Sequence, residues 1–308
     1  MTDTRPVAAI DCGTNSIRLL ISRPVDGVPT DVVRVMRIVR LGEGIDTTGR
    51  IAAAALDRTA EALREYATII AEHDPVGIRM VATSASRDAD NAEEFRDLVK
   101  RTIGVTPEVI TGDEEAALSF AGAVADLPAI DGERLVVDIG GGSTEFIRGR
   151  DEPMAARSVN IGCVRMTERH LTADPPTDDQ IAAATADITE AVDTALAEVD
   201  PNRRAVELVG LAGSVTTVAA LALGLTSYRP ELIHHSRVSR AEVTAISARL
   251  LGETREQRLT YPVMHPGRAD VIGGGALVLR IIMERTGIDT VLAGEHDILD
   301  GIAASLRG

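Results

Sequence analysis

Glycine, hydroxyl and carboxylate residues lie together in one short segment near the start of the 308-residue chain, Asp11-Cys-Gly-Thr-Asn-Ser16. Glycine frees backbone N–H groups and removes the side chain that would keep a phosphate away. Thr14, Asn15 and Ser16 add side-chain donors, and Asp11 can hold a cation or its bound water. The segment is typical of a phosphate-binding turn, but a hairpin turn that needs glycine and asparagine only for its geometry has the same signature.

A second segment in the other half of the chain repeats this pattern, Asp138-Ile-Gly-Gly-Gly-Ser-Thr-Glu145. Its candidate phosphate-binding residues are Gly140, Gly141, Gly142, Ser143 and Thr144. Asp138 and Glu145 stand at the two ends of the turn, where they could hold a metal ion. One such turn alone would favour the purely geometric explanation. Two matched turns favour a site for a phosphate chain together with Mg²⁺.

Four further candidate residues have simpler explanations beside the functional one. Gly213 and Ser214 follow an apolar strand and open a helix, so they form either a third anion site or a helix N-cap. Arg87 could clamp a phosphate, or it could form a surface ion pair. Glu115 is the last of three acidic residues at a helix start, where the helix dipole stabilises any carboxylate. The residues alone favour that explanation over catalysis.

Two histidine-containing pairs suggest a metal site but lack a partner. For His234-His235 and His296-Asp297 no third ligand stands at a suitable spacing, so we expect surface or packing roles. Three arginines in the same region form either a basic patch or a solvated face, and these are Arg255, Arg258 and Arg268.

The elements that must position these groups alternate between strand and helix, which predicts an α/β fold. Each glycine-rich turn joins two short apolar strands, predicted at 7–10 and 17–22 and again at 135–139 and 145–148. The two hairpins align at a constant offset that sets Asp11 on Asp138 and Ser16 on Ser143. A similarity of this kind indicates a duplicated unit, with the two turns facing each other across a cleft.

The remaining periodicity predicts where the units end. Helices are expected at 52–72, 91–102, 113–124, 177–199, 239–251 and in the last dozen residues, with a helical stretch at 267–286 that Gly273-Gly-Gly275 starts or interrupts. Further strands are expected at 32–41, 78–82, 107–110, 208–212 and 291–293. The loop 126–133, with Pro128 and Gly132, is the best boundary. The predicted domains are 1–125, with the helix 297–308 packing on it, and 126–296.

Composition excludes several classes of protein. The net charge of −15, with 2 % aromatic residues and no Trp, disfavours binding of nucleic acid or an anionic membrane. The apolar stretch 205–225 is broken by Glu207 and a Gly-Ser pair, which favours strand, loop and helix over a membrane span. Two cysteines with no framework spacing predict a reducing cytoplasm.

Five motifs, in order along essentially the whole chain, resemble the exopolyphosphatase/guanosine pentaphosphatase family. Besides the two glycine-rich segments they are Ala82-Thr-Ser-Ala-Ser-Arg-Asp-Ala, Gly112-Asp-Glu-Glu-Ala and Ile161-Gly-Cys. The resemblance implies two actin-like (ribonuclease-H-like) domains of the sugar kinase, heat-shock ATPase and actin superfamily, with an interdomain cleft. Long members carry an extra helical C-terminal region, so this chain resembles a short member.

The resemblance also implies roles for individual residues. Glu115 corresponds to the proposed catalytic base, which reverses the helix-dipole explanation, and Arg87 to an arginine that faces the phosphates. Asp138 and Glu145, together with Asp11, correspond to the metal site, for Mg²⁺ with Mn²⁺ as a substitute ion. The phosphate loops correspond to Thr14, Asn15, Ser16, Gly140, Gly141, Gly142, Ser143 and Thr144, with Gly213 and Ser214 as a third loop.

The implied activity is release of terminal orthophosphate from inorganic polyphosphate. The alternatives are hydrolysis of guanosine pentaphosphate, a non-hydrolytic polyphosphate or alarmone sensor, and a sugar-type kinase of the same superfamily. Alarmone or nucleotide ligands stay open as further partners, and the family suggests a homodimer. Chain-length preference, nucleotide inhibition and the extent of domain closure are left open by the sequence.

Overall fold

The computed structural model describes residues 5–307. In that part of the chain the strands are β1 Val7–Cys12, β2 Ser16–Val25, β3 Val28–Ile38, β4 Ile78–Ala82, β5 Glu108–Val109, β6 Glu133–Ile139, β7 Thr144–Gly149, β8 Pro153–Val159, β9 Ala205–Leu211, β10 Arg237–Ser239 and β11 Thr290–Ala293. The helices are α1 Ile45–Thr48, α2 Ala53–His73, α3 Ser84–Asp88, α4 Ala92–Ile103, α5 Gly112–Val124, α6 Cys163–His170, α7 Asp178–Val199, α8 Ala212–Ala222, α9 Pro230–Ile233, α10 Arg240–Gly252, α11 Arg255–Arg258, α12 Ile272–Thr286 and α13 Ile298–Ser305.

The described chain divides into two compact units. The first runs up to Gly122 and includes the residues from Ile298 onward, and the second is Ala123–Asp297. Each unit is built on one sheet and has its own hydrophobic core.

The sheet of the first unit has the strand order β3-β2-β1-β4-β5. β1 and β2 pair antiparallel, as do β2 and β3, whereas β4 lies parallel to β1 and β5 parallel to β4. Every residue of β1 is buried, because side chains alternate across the sheet and helices cover both faces. Ala8 and Ile10 pack in a cluster with residues of α2 and α4, while Val7 and Ala9 pack with residues of α13.

The sheet of the second unit has the order β10-β11-β9-β6-β7-β8. β6, β7 and β8 form an antiparallel meander, β9 lies parallel to β6, and β11 lies parallel to β9. Leu135, Val137 and Ile139 of β6 point into a large core that α7 and α12 also supply. Both units therefore contain three antiparallel strands followed by parallel ones, which is the arrangement of ribonuclease-H-like, actin-like domains. The predicted fold class is confirmed.

Two glycines allow helices to approach each other closely. A Cβ atom at Gly301 of α13 would lie 2.1 Å from the backbone oxygen of Leu118 in α5, so the contact of these helices depends on the missing side chain. A Cβ atom at Gly275 in the first turn of α12 would lie 2.1 Å from Oγ of Ser214. The run Gly273-Gly-Gly275 thus serves helix packing inside α12 and does not interrupt it.

Several elements begin and end close to the predicted bounds. The predicted capping box at Thr177 is present, with its hydroxyl accepting the N–H of Gln180, and α7 ends at Val199 as expected. The stretch 205–225 forms β9 and α8, which confirms the strand-and-helix prediction. None of the helices within residues 5–307 combines the length and apolar character that a membrane crossing requires. The strand predicted at 32–41 ends instead at Ile38, because the next residues bond to the first glycine-rich turn.

Candidate functional site

The turn between β6 and β7 is held by its carbonyl groups. The N–H of Gly140 donates to the oxygen of Ser143 at 3.0 Å and closes the tip. The carbonyls of Gly140, Gly141 and Gly142 accept hydrogen bonds from backbone N–H groups of residues 162–165, at 2.9 to 3.2 Å. The backbone N–H groups at the start of α6 are therefore bonded to the carbonyl oxygens of the turn.

The opposite side of this turn offers N–H groups. In a trans peptide the C=O and the following N–H point in opposite directions. The N–H groups of Gly141, Gly142 and Ser143 consequently point away from α6, in the arrangement that binds anionic oxygens. Gly162 makes the packing possible, because a Cβ atom there would lie 2.2 Å from the carbonyl carbon and oxygen of Gly141. Thr144 holds the turn in shape, because its fully buried hydroxyl donates to the backbone oxygen of Ile161 at 2.8 Å.

Two carboxylates stand directly across this hairpin from each other. Asp138 of β6 and Glu145 of β7 are register partners, so their side chains lie on the same face of the sheet. Both are buried, with exposed fractions of 7 % and 1 %. The hydroxyl of Ser158 donates to Oε1 of Glu145 at 2.7 Å. Two buried like charges repel each other, and a divalent cation with oxygen ligands relieves this repulsion.

The equivalent hairpin of the first unit has a different charge pattern. Asp11 is the register partner of Arg18, which occupies the place of Glu145. The guanidinium of Arg18 donates to Oδ2 of Asp11 through Nε at 3.0 Å and through Nη2 at 2.6 Å. The charge of Asp11 is therefore offset by a cationic register partner, whereas in the second unit the two register partners are both carboxylates. Asp138 and Glu145 fit a divalent metal ion better than Asp11 does.

The turn between β1 and β2 is held in the same way as its counterpart. The N–H of Gly13 donates to the oxygen of Ser16 at 2.9 Å. The carbonyls of Thr14 and Asn15 accept hydrogen bonds from backbone N–H groups within 39–42, which leaves the N–H groups of Asn15 and Ser16 pointing away. The hydroxyls of Thr14 and Ser84 are 2.8 Å apart, which fixes the turn to the start of α3.

Burial separates the three acidic residues at the start of α5. Glu114 caps the helix, because its carboxylate accepts hydrogen bonds from the N–H and the hydroxyl of Thr111. These two bonds lower the pKa of Glu114. Asp113 is exposed. Glu115 is buried, with an exposed fraction of 8 %, and Nη1 of Arg87 lies 3.3 Å from its Oε2. The helix dipole accounts for Asp113 and Glu114, but Glu115 is held in place by its partly buried contact with Arg87.

The third candidate loop joins β9 to α8. Ala212 adopts a left-handed backbone conformation with φ of 67°, which turns the chain sharply into the helix. Ser214 is 3 % exposed and packs on Gly275, so its backbone rather than its hydroxyl could meet a ligand. The guanidinium of Arg268 lies so close over Gly213 that a Cβ atom there would be 2.1 Å from Nη2. Nη1 of Arg268 donates to Oγ1 of Thr217 at 2.8 Å.

Two residues at these loops were not assigned to them by sequence reasoning. The sequence groups Arg268 with Arg255 and Arg258 in a basic patch or a solvated face, and it shows Gly162 only as part of a motif. The structure places Arg268 on the third loop, whereas Arg258 is buried and bonds to the oxygens of Glu253 and Ala269. The position of Arg268 at this loop depends on tertiary contacts, which no local sequence pattern reveals. Gly162 could have been suspected, since an isolated glycine before a helix often allows close backbone approach.

The expectation that no third group joins the histidine pairs is corrected by the fold, which brings Asp126 to them, while their surface or packing roles stay a prediction. Nε2 of His234 and Nδ1 of His296 lie 2.7 Å and 3.1 Å from Oδ2 of Asp126. Burial alone would raise the pKa of Asp126, but the hydrogen bond from His234 and the nearby imidazoles outweigh it, so the pKa of Asp126 is lowered. Folding thus brings to the histidines a carboxylate that the sequence spacing did not reveal.

Residues 20–305 match the sequence profile of the Ppx/GppA phosphatase family. The chain belongs to this family. Its similarity to "Exopolyphosphatase 2" of Mycobacterium tuberculosis is 50 % identity over 98 % of both chains. A crystal structure of an exopolyphosphatase-like protein superposes with a TM-score of 0.94 and 46 % identity, covering 98 % of each chain.

A more distant Ppx/GppA relative bears on substrate choice. The chain is 32 % identical to the "Guanosine-5'-triphosphate,3'-diphosphate pyrophosphatase" of Vibrio atlanticus, over 96 % of this chain and 58 % of that protein. The family match confirms the predicted resemblance and the prediction that the protein is a hydrolytic enzyme.

Proposed function

We propose that this Ppx/GppA protein is an exopolyphosphatase, which releases orthophosphate from the end of inorganic polyphosphate by attack of water. The structural observation that carries the proposal is the buried carboxylate pair Asp138 and Glu145 beside a turn with three aligned N–H groups. The likeness to the exopolyphosphatase of M. tuberculosis supports polyphosphate as the substrate.

The loops bind phosphate oxygens in this proposal. The N–H groups of Gly141, Gly142 and Ser143 donate to one phosphoryl group, and those of Asn15 and Ser16 to another. Gly140 and Thr144 hold the second turn in shape. At the third loop the N–H groups of Gly213 and Ser214 lie in the first turn of α8, where helix N–H groups lack intrahelical acceptors. The guanidinium of Arg268 adds a positive charge there.

Asp138 and Glu145 would hold Mg²⁺, or Mn²⁺ in its place. A divalent ion bound there would supply positive charge to offset the charge on the phosphate oxygens. Asp11 stays a secondary candidate, since Arg18 already occupies its Oδ2.

Glu115 accepts a proton from the attacking water, whose oxygen forms a bond to the terminal phosphorus. The bridging P–O bond breaks, and its electron pair stays on the shortened chain. Orthophosphate leaves, and Glu115 then returns its proton to solvent. Arg87 keeps the Glu115 carboxylate in position through its 3.3 Å contact and offsets charge on the transferred phosphoryl group.

Hydrolysis of guanosine pentaphosphate is the second candidate function, because the Vibrio relative bears the name of that activity. The chemistry at phosphorus is the same, and only the leaving group differs. A non-hydrolytic sensor is less well supported, since Glu115, Asp138 and Glu145 are all retained.

Orthophosphate release from polyphosphate and from guanosine pentaphosphate, with Mg²⁺, with Mn²⁺ and with a chelator, tests the proposal. We expect metal-dependent release from polyphosphate at the higher kcat/KM. A higher value on guanosine pentaphosphate would establish the second function. Binding of either compound without release would indicate a sensor.

Localisation and assembly complete the proposal. Cys12 and Cys163 are free and buried, which fits a reducing cytoplasm. A homodimer is proposed from the family resemblance, and light scattering of the purified chain tests it. A monomeric mass across micromolar concentrations would contradict this part.

A further inference from the structure

Half of the six histidines of the chain surround one carboxylate in the second unit. The side chain of Asp126 is 37 % exposed and has three imidazoles around it. Besides the contacts to His234 and His296, Nε2 of His235 lies 3.6 Å from its Oδ1. The ring centroid of His234 lies 3.8 Å from that of His235 and 4.5 Å from that of His296. We call these four residues the histidine cluster.

Three separate segments of the second unit bring the histidine cluster together. Asp126 follows α5, His234 and His235 follow α9, and His296 follows β11. Consecutive residues seldom direct their side chains the same way, but His235 adopts a left-handed backbone conformation with φ of 62°. Its N–H donates to the oxygen of Ala293 at 2.8 Å. This unfavourable conformation stacks two neighbouring imidazoles beside one carboxylate.

The donor atoms are spaced as metal ligands are. One atom each from Asp126, His234 and His296 lies within 4.8 Å of the other two. Nε2 of His235 is shielded from water and has no hydrogen-bond partner among the residues that the structure describes. We propose that the histidine cluster binds a transition-metal ion of the zinc class, with Asp126, His234 and His296 as ligands.

The ligand types determine which ion fits. Imidazole nitrogen suits Zn²⁺, Ni²⁺, Co²⁺ and Cu²⁺, whereas Mg²⁺ prefers oxygen ligands. The histidine cluster therefore differs in kind from Asp138 and Glu145, which offer oxygen alone. None of its members belongs to the three phosphate loops. Three protein ligands of nitrogen and oxygen type are enough to hold Zn²⁺, with a fourth position left for water.

Two hydrogen bonds of His234 must open when the ion binds. Nδ1 of His234 accepts the N–H of Glu295 at 3.1 Å, so Nε2 carries the ring proton and donates to Asp126. Coordination through Nε2 moves the proton to Nδ1 and ends the contact with Glu295. The hydrogen bond from Nε2 to Asp126 ends as well, and the loss of these two hydrogen bonds is small beside the bonds to the metal.

Zinc titration of the chelator-treated full chain, in excess Mg²⁺ and against a chromogenic chelator, tests the proposal. We expect one tightly bound Zn²⁺ per chain. His296→Gln and Asp126→Asn should each weaken binding by at least about tenfold. His73→Gln, in α2 of the other unit, is the matched control and should bind Zn²⁺ as the wild type does. Wild-type protein that binds no Zn²⁺ under these conditions would overturn the proposal.

Two further readouts guard against misfolded variants. Co²⁺ bound to the wild-type chain should show the visible absorption of a nitrogen-ligated ion, and Zn²⁺ should displace it. Zn²⁺ should raise the Tm of the wild type and of His73→Gln, but not that of His296→Gln. Equal Zn²⁺ affinity of the wild type and His296→Gln would assign the ion to other ligands. Neither readout depends on phosphate release.

Discussion

Replacing Gly162 by Ala adds one methyl group behind the second glycine-rich turn, which is proposed to bind phosphate. Its carbon would lie 2.2 Å from the carbonyl carbon and oxygen of Gly141 and 2.4 Å from the nitrogen of Gly142. Ordinary contacts begin at 3.4 Å, so the turn must move by about 1.2 Å. The atoms that must move are backbone, which cannot rotate aside as a flexible side chain would. The N–H groups of Gly141, Gly142 and Ser143 move with the turn.

We expect two consequences of Gly162→Ala. A displacement of about 1 Å at a positioning group can lower the rate by about 100-fold, and kcat/KM for polyphosphate should fall by up to that factor. Overpacking should also lower the free energy of unfolding by about 1–3 kcal/mol. Steady-state phosphate release and thermal unfolding measure the two effects.

The matched control is Gly252→Ala at the end of α10, where an added Cβ meets nothing within 4 Å. This variant should keep its activity and be at least as stable as the wild type. If Gly162→Ala keeps wild-type kcat/KM and Tm, the second turn is not held against the start of α6 as described, and its role in phosphate binding loses its structural basis.

Three further predictions concern the metal site and the packing. Asp138→Asn leaves Glu145 with one neutral neighbour, and the Mg²⁺ concentration for half-maximal phosphate release should rise by about tenfold or more; an unchanged requirement would remove Asp138 from the metal site. Gly301→Val forces a side chain against the backbone of Leu118 and should cost about 3 kcal/mol in denaturant unfolding, whereas wild-type stability would show that α13 does not pack there. Thr177→Ala removes the N-cap of α7 and should cost about 1 kcal/mol, with no change in activity at a temperature where the chain is folded; lost activity would contradict a purely structural role.

The hairpins were predictable because their signal is local. Alternating apolar residues and glycine-rich turns determine β1 with β2 and β6 with β7, and their repetition predicts a duplicated unit, which the family resemblance identifies as actin-like. β8 escaped prediction because Pro153–Val159 is an edge strand with partly exposed side chains and little apolar alternation. α6 also escaped, since its eight residues carry only three buried positions.

The candidate site was predictable as a set of loops but not as a set of contacts. Burial distinguishes Glu115 from Glu114. No local sequence pattern predicts which of these carboxylates contacts Arg87. The pairing of Asp11 with Arg18 depends on strand register, which a hairpin prediction does supply, so that ion pair could have been anticipated. The meeting of Asp126 with His296 could not, because these residues lie at opposite ends of the second unit in sequence.

The central claim is that Glu115 activates water. Its most direct test is the rate of orthophosphate release from polyphosphate by Glu115→Gln at saturating Mg²⁺, beside the exposed neighbour Asp113→Asn and with polyphosphate affinity measured for both. The account predicts a fall of about 10²- to 10⁴-fold for Glu115→Gln with affinity kept, and a near wild-type rate for Asp113→Asn. A wild-type rate for Glu115→Gln, or equal losses in both variants, would contradict it.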